Sequence, residues 1–113
     1  MEQVIDSENA ISEEFLMTLL CQVGAAKSAI MQAMLEARNG NFSEVDQLLQ
    51  QADEALIEVH KTQTSLIGFD EGQGKVTMTL ILTHIQDHIM TTMLCRDIVT
   101  EIVELYQRTA EKQ

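Results

Sequence analysis

The stretch TMTLILTHIQDHIMTTMLC, residues 77–95, decides how this chain folds. It contains neither proline nor glycine, and Leu80, His84, Asp87, His88, Thr91 and Leu94 recur at the three- and four-residue steps of one helix face. Ile98, Ile102 and Leu105 continue that stripe, which predicts a helix over residues 77–112. A second row, Met78, Leu82, Ile85, Ile89 and Met93, runs down another side, so the first half of this helix is apolar almost all round. Two neighbouring helices do not cover that much surface, and self-association is the simplest remedy. Residues 76–95 carry few charges, but the threonines, His84, Gln86, Asp87 and His88 within them do not suit a lipid-facing span.

Upstream, two further helices are legible. The first starts at Ser12, whose hydroxyl can cap free amides while Glu13 and Glu14 oppose the positive end of the helix dipole; it ends near Asn39-Gly40. Leu16, Leu19, Leu20, Val23, Ile30, Met34 and Ala37 form its buried face. Gly24, beside Ala25 and Ala26, is expected either to kink this helix or to admit a close neighbour. The second helix is expected to start at Ser43-Glu44-Val45-Asp46, which resembles a capping box, with Val45, Leu48, Leu49, Ala52, Leu56 and Val59 facing the core. After Ile67, Gly68-Phe69-Asp70-Glu71-Gly72-Gln73-Gly74 reads as the main flexible loop. Residues 1–11 are acidic and polar, lack the basic and apolar regions of a signal peptide, and read as a loose tail on a single domain spanning 1–113. The fold class is therefore all-α, a three-helix antiparallel bundle.

Composition agrees and narrows the partners. The chain of 113 residues has no proline and five glycines, which leaves little to support a sheet. Its formal charge of -11 repels nucleic acid and anionic membranes, and a protein partner with a basic docking face fits better. Cys21 and Cys95 lie inside apolar helical patterns and read as reduced core residues of a cytoplasmic protein. Met31, Met34, Met78, Met90 and Met93 read as core filler.

The chemistry gathers at His84, Asp87 and His88. Residues four apart on a helix differ in direction by about 40°, so the two histidines share a face and Asp87 projects between them. A carboxylate among Ile, Leu and Met must find a cation, a proton or several donors if it is buried. A metal site of His84, His88 and Asp87 is one answer, although H-x-x-D-H lacks the H-E-x-x-H arrangement of zinc enzymes. Phosphoryl transfer is another, with either imidazole as nucleophile and its second nitrogen held by a neighbour. His60, with Gln63 and Thr64 following it, either supports the same site or edges the core, the second reading being slightly favoured. No phosphate-binding glycine loop, hydrolase elbow or aromatic-basic patch is present, which removes the usual nucleotide, hydrolase and RNA readings.

The segment His84-Ile85-Gln86-Asp87-His88-Ile89-Met90-Thr91-Thr92 resembles the H-x-Q-D-H-[LI]-M-T signature of the lactose/cellobiose-family enzyme IIA of the bacterial sugar phosphotransferase system. Gly24-Ala25-Ala26-Lys27-Ser28, Gly40-Asn41-Phe42 and residues 60–67 extend the resemblance over residues 16–106. It implies a homotrimer of three-helix protomers, a phosphoryl group accepted on His84 from the phosphocarrier protein HPr, and its transfer to a cysteine of the cognate enzyme IIB. It further implies that Asp87 faces the trimer axis, where three copies hold one divalent cation, usually magnesium, and that Gln86 and His88 support the imidazole or the phosphate. The membrane enzyme IIC is then an indirect partner and the transported sugar a β-linked disaccharide. Ile85 departs from the pattern, standing where a small residue is common, and is expected to crowd His84. Two rival readings are a histidine phosphotransfer domain of two-component signalling, whose usual Lys-Gly pair does not follow His84, and a noncatalytic metal-binding scaffold.

Overall fold

A computed structural model describes residues 5–112. Among these residues the chain forms a short 3-10 turn at Glu8–Ala10 and three α-helices, α1 Glu13–Arg38, α2 Phe42–Asp70 and α3 Leu80–Glu111, with no strand. They make a rod with extents of 56 × 22 × 20 Å. The helices run up, down and up, so α1 and α3 are parallel and α2 opposes both.

The caps explain where each helix starts. Ser12 Oγ accepts the Phe15 amide at 3.1 Å, and Thr79 Oγ1 accepts that of Leu82 at 3.2 Å, each satisfying a donor that the first helical turn leaves free. The second helix departs from expectation, because it begins at Phe42 rather than at a capping box on Ser43. Gly40 sits at φ +82°, in the left-handed region, and the Asn41 amide donates to Glu36 O at 2.8 Å. This reversal fixes the chain direction before Ser43 is reached, leaving Ser43 inside the first turn. The expected loop also starts later, since α2 carries through Gly68, Phe69 and Asp70 and ends at Glu71, which itself adopts φ 53°.

The core has two parts. Toward the α1–α2 turn, Ala26, Ala29, Ala33 and Ala37 pack with Val45, Ala52, Val99 and Val103, small side chains that let the helix axes approach. Toward the other end, Phe15, Leu19, Val23, Val59, Leu82, Ile85 and Ile89 form a bulkier cluster. The close approach is made by these alanines and not by Gly24, where an added Cβ would meet nothing within 4 Å and where α1 runs unbroken. Between α2 and α3, Arg96 donates to both oxygens of Asp53, Nε to Oδ1 at 2.7 Å and Nη2 to Oδ2 at 3.0 Å, a two-pronged clamp that sets their register.

The N-terminal segment differs from a loose tail in its described part. Ile5 is buried, its amide donates to Ser65 Oγ at 2.8 Å, and Glu8 Oε1 accepts the Thr77 hydroxyl at 2.7 Å. One apolar anchor in an otherwise polar segment holds it down; residues 1–4 of the expected tail lie outside the described residues. Cys21 is exposed on the outer side of α1, and Met31, Met78 and Met90 are also exposed, so these four are not core residues. The helix long and apolar enough to cross a membrane is α1 rather than α3, and its apolar face lies in the core of the bundle.

Candidate functional site

The site sits in the first half of α3, where the buried and exposed faces diverge. Ile85 and Ile89 are fully buried, while His84 and Asp87 on the other side are exposed and His88 is half-buried. Ile85 therefore points into the core and does not crowd His84, because successive helical residues diverge by about 100°.

The rings of His84 and His88 stack with centroids 6.0 Å apart and planes inclined by 22°. His88 Nδ1 lies 3.5 Å from Thr92 Oγ1, at the outer limit of a hydrogen bond, and Thr92 is buried. Burial first, then the positive charge of Lys27 and the neighbouring His84, hold the His88 imidazole below its ordinary pKa of 6.5, with Asp87 opposing them. Gln86 turns the other way, where its Oε1 accepts from Nε2 of the buried Gln63 on α2 at 2.8 Å. That bond ties α2 to α3 two residues before His88. Beside it opens an apolar cleft of about 320 Å³ lined by Ile67, Val76, Met78, Leu82 and Gln86.

The structure thus brings His84 and His88 together and separates Gln86 from them onto a neighbouring face. Asp87 is a correction to the buried-carboxylate argument: within one protomer its side chain is exposed and makes no hydrogen bond or ion pair among the described residues. Burial arises there only if other copies cover the stripe. Among the described residues no group of three His, Cys, Asp or Glu side chains could hold a metal ion. One chain supplies a single carboxylate, so Asp87 fits a cation only where several chains converge. His60 is exposed at the rim of α2. Gln63 meets α3 from another helix, so the sequence alone does not assign it, whereas Thr92, four residues after His88 on the same helix, is within reach of the helical period.

An exposed imidazole stacked on a second one four residues along the helix is an arrangement that can serve nucleophilic transfer. The family described as PTS system, Lactose/Cellobiose specific IIA subunit, matches residues 14–107. This chain belongs to the lactose/cellobiose family of enzyme IIA. Such an enzyme IIA is a phosphotransferase component of the sugar phosphotransferase system. Over 96 residues the chain is 41% identical to the N,N'-diacetylchitobiose-specific EIIA component of Escherichia coli K12, covering 85% of this chain and 83% of that protein. It is 35% identical over 105 residues to the lichenan-specific enzyme IIA component of Bacillus subtilis, covering 93% and 96%. The solved cellobiose-specific enzyme IIA of Bacillus anthracis superposes with a TM-score of 0.81 at 32% identity, over 89% of this chain and 93% of that one. The IIA(Chitobiose) chain solved in complex with HPr, from Escherichia coli, gives a TM-score of 0.75 at 39% identity over 87% and 95%. The three-helix architecture expected from sequence is therefore that of the enzyme IIA family.

Proposed function

We propose that this enzyme IIA carries a phosphoryl group on His84, taking it from phosphorylated HPr and passing it to a cysteine of a cognate enzyme IIB. The observation that carries this reading is the His84–His88 pair, with His84 presented on the outside of a rigid helix and its neighbour stacked at 6.0 Å. A lone pair of the neutral His84 imidazole attacks phosphorus as the bond to the donor breaks, and the thiolate of enzyme IIB later takes the group from His84, restoring the imidazole. The transition state is loose, so alignment and charge do most of the work and a single nucleophile suffices. His88 and Gln86 act as support: His88 backs the active ring, and Gln86, held by Gln63, sets the helix around it.

The protomer works as a homotrimer packed along the exposed side of α3, where Leu80, Leu94, Ile98 and Leu105 leave an apolar stripe uncovered. Asp87 lies on that stripe, so three copies bring three carboxylates together. A divalent cation with oxygen ligands, magnesium being the natural choice, offsets their repulsion. The carrier is cytoplasmic, contacts enzyme IIC only through enzyme IIB, and serves uptake of a β-linked disaccharide; relatives named for chitobiose, lichenan and lactose support that substrate class.

The test is transfer of label from phosphoenolpyruvate through purified enzyme I and HPr. The wild type takes up label, His84→Gln takes up none, and His88→Gln is labelled more slowly. Labelling of His84→Gln would move the nucleophile elsewhere, and an unlabelled wild type would return the signalling and scaffold readings to the front.

A further inference from the structure

A phosphoryl group on His84 would bring about two negative charges at pH 7 to a chain of formal charge -11, three residues along α3 from the Asp87 carboxylate. Some cation must offset them. The chain has seven Lys and Arg residues. Among the described residues Lys61, Lys75, Arg96 and Arg108 are committed to Glu58, Glu71, Asp53 and Glu104. Arg38 closes α1 and Lys112 caps α3, both at the end of the rod away from His84.

Lys27 is different. It is exposed, in none of those ion pairs, and lies midway along α1. The register of α1 on α3 is fixed one turn further on, where Cys95 Sγ approaches Met31 Sδ at 4.0 Å. Stepping back four residues along both parallel helices moves about 6 Å and sets Lys27 against the turn that holds His88 and Thr91. Lys27 thereby stands beside the turn of α3 that carries His88, whose ring stacks on His84 with centroids 6.0 Å apart. A four-carbon stem ending in three rotatable donors can move from beside His88 to an anion on the adjacent ring.

We propose that Lys27, the uncommitted cation beside the stacked histidines, binds the phosphoryl oxygens while the group resides on His84. This deepens the carrier reading and rests on it. Lys27 gives up no proton and forms no covalent bond: phosphorus passes from donor nitrogen to His84 nitrogen, and the ammonium supplies charge and hydrogen bonds throughout. An arginine keeps that charge, and a methionine keeps the stem without it.

The experiment uses the full chain in wild-type, Lys27→Met and Lys27→Arg forms, with His84 loaded in two ways: from phosphorylated HPr, and chemically with phosphoramidate. In Lys27→Met, transfer from HPr falls roughly tenfold, the scale of one lost charge-assisted contact, and Lys27→Arg recovers most of it. In the chemically loaded protein, phosphorus NMR shows the second ionisation of the phosphoryl group moving to higher pH in Lys27→Met, because the dianion has lost a cation. A merely structural lysine moves neither quantity in this pattern. Equal transfer rates and coincident phosphoryl titrations in Lys27→Met and wild type would overturn the proposal. A wild type loaded by phosphoramidate but not by HPr would count against the carrier reading alone, and the titration would still decide the role of Lys27.

Discussion

Along one side of α3, Leu82, Ile85, Ile89, Thr92, Val99 and Val103 are buried against the other helices. Along the next side, Leu80 is 89% exposed, Leu94 59%, Ile98 49% and Leu105 64%, in a row that also contains His84, Asp87 and Thr91. Both rows carry large apolar side chains, in opposite surroundings. Hydrophobicity alone therefore says that each row wants to be covered, but not by what. The first row is covered within the chain and builds the fold. The second has chemistry interspersed among its leucines and isoleucines, which marks it as a surface where the fold meets something else.

The contrast is strongest in a core deletion. Ile89→Ala removes a fully buried side chain from the cluster of Leu19, Val23, Val59 and Ile85. Losing its transfer energy and leaving a cavity costs about 2–5 kcal/mol of folding stability, read from urea or thermal unfolding of dilute protein. A loss below 1 kcal/mol, roughly the scatter of surface substitutions, would mean that α3 does not pack through this row.

The exposed row should behave in the reverse way. Leu94→Glu combined with Ile98→Glu leaves the stability of the isolated protomer within about 0.5 kcal/mol of wild type, as for most surface changes. On the proposed homotrimer it is assembly that is lost, and sedimentation equilibrium should report single chains for the variant and trimers for the wild type. A variant that still trimerises would place the contact between copies on another face, and the convergence of the Asp87 carboxylates would fall with it.

How much of this was legible in sequence follows from the same division. Ser12 was read as a cap because the hydroxyl, the two acids behind it and the apolar period after it all agree locally, and Thr79 shows the same chemistry at α3. Ser43 misled for a local reason too: Ser-x-x-Asp looks like a capping box, but the left-handed Gly40 and the Asn41–Glu36 bond turn the chain earlier. Of the α1 alanines only Ala37 stands in the expected core face; Ala26, Ala29 and Ala33 do not, because small residues carry little hydrophobic signal although they set how closely helices approach. At the site, the period placed His84 and His88 on one face, and their ring stack bears that out. The partners Gln63 and Lys27 come from other helices, so their positions depend on a register between helices that no single segment encodes.

The loop between α2 and α3 offers the smallest and most local comparison, because its glycines suggested flexibility while its structure is organised by one carboxylate. Asp70 Oδ1 accepts the Val76 amide at 2.9 Å and Oδ2 the Gly74 amide at 3.3 Å. The Val76 bond is the main cause that holds Asp70 below its ordinary pKa of 3.8; desolvation opposes it, and the amides of Gly74, Lys75 and Gly72 add to the lowering. A carboxyl whose pKa is lower folded than unfolded stabilises the native loop in full above 3.8, and that contribution fades as the pH falls through the lower folded value. Hydrogen-exchange protection of the Val76 and Gly74 amides should therefore be constant from neutral pH down to about 5 and decline in acid. Asp70→Ala should lack it at every pH while leaving the Ile89 region untouched. Protection that survives in Asp70→Ala would show that the loop is held from outside, by the bond between Thr77 and Glu8 and the anchoring of Ile5, rather than by its own carboxylate.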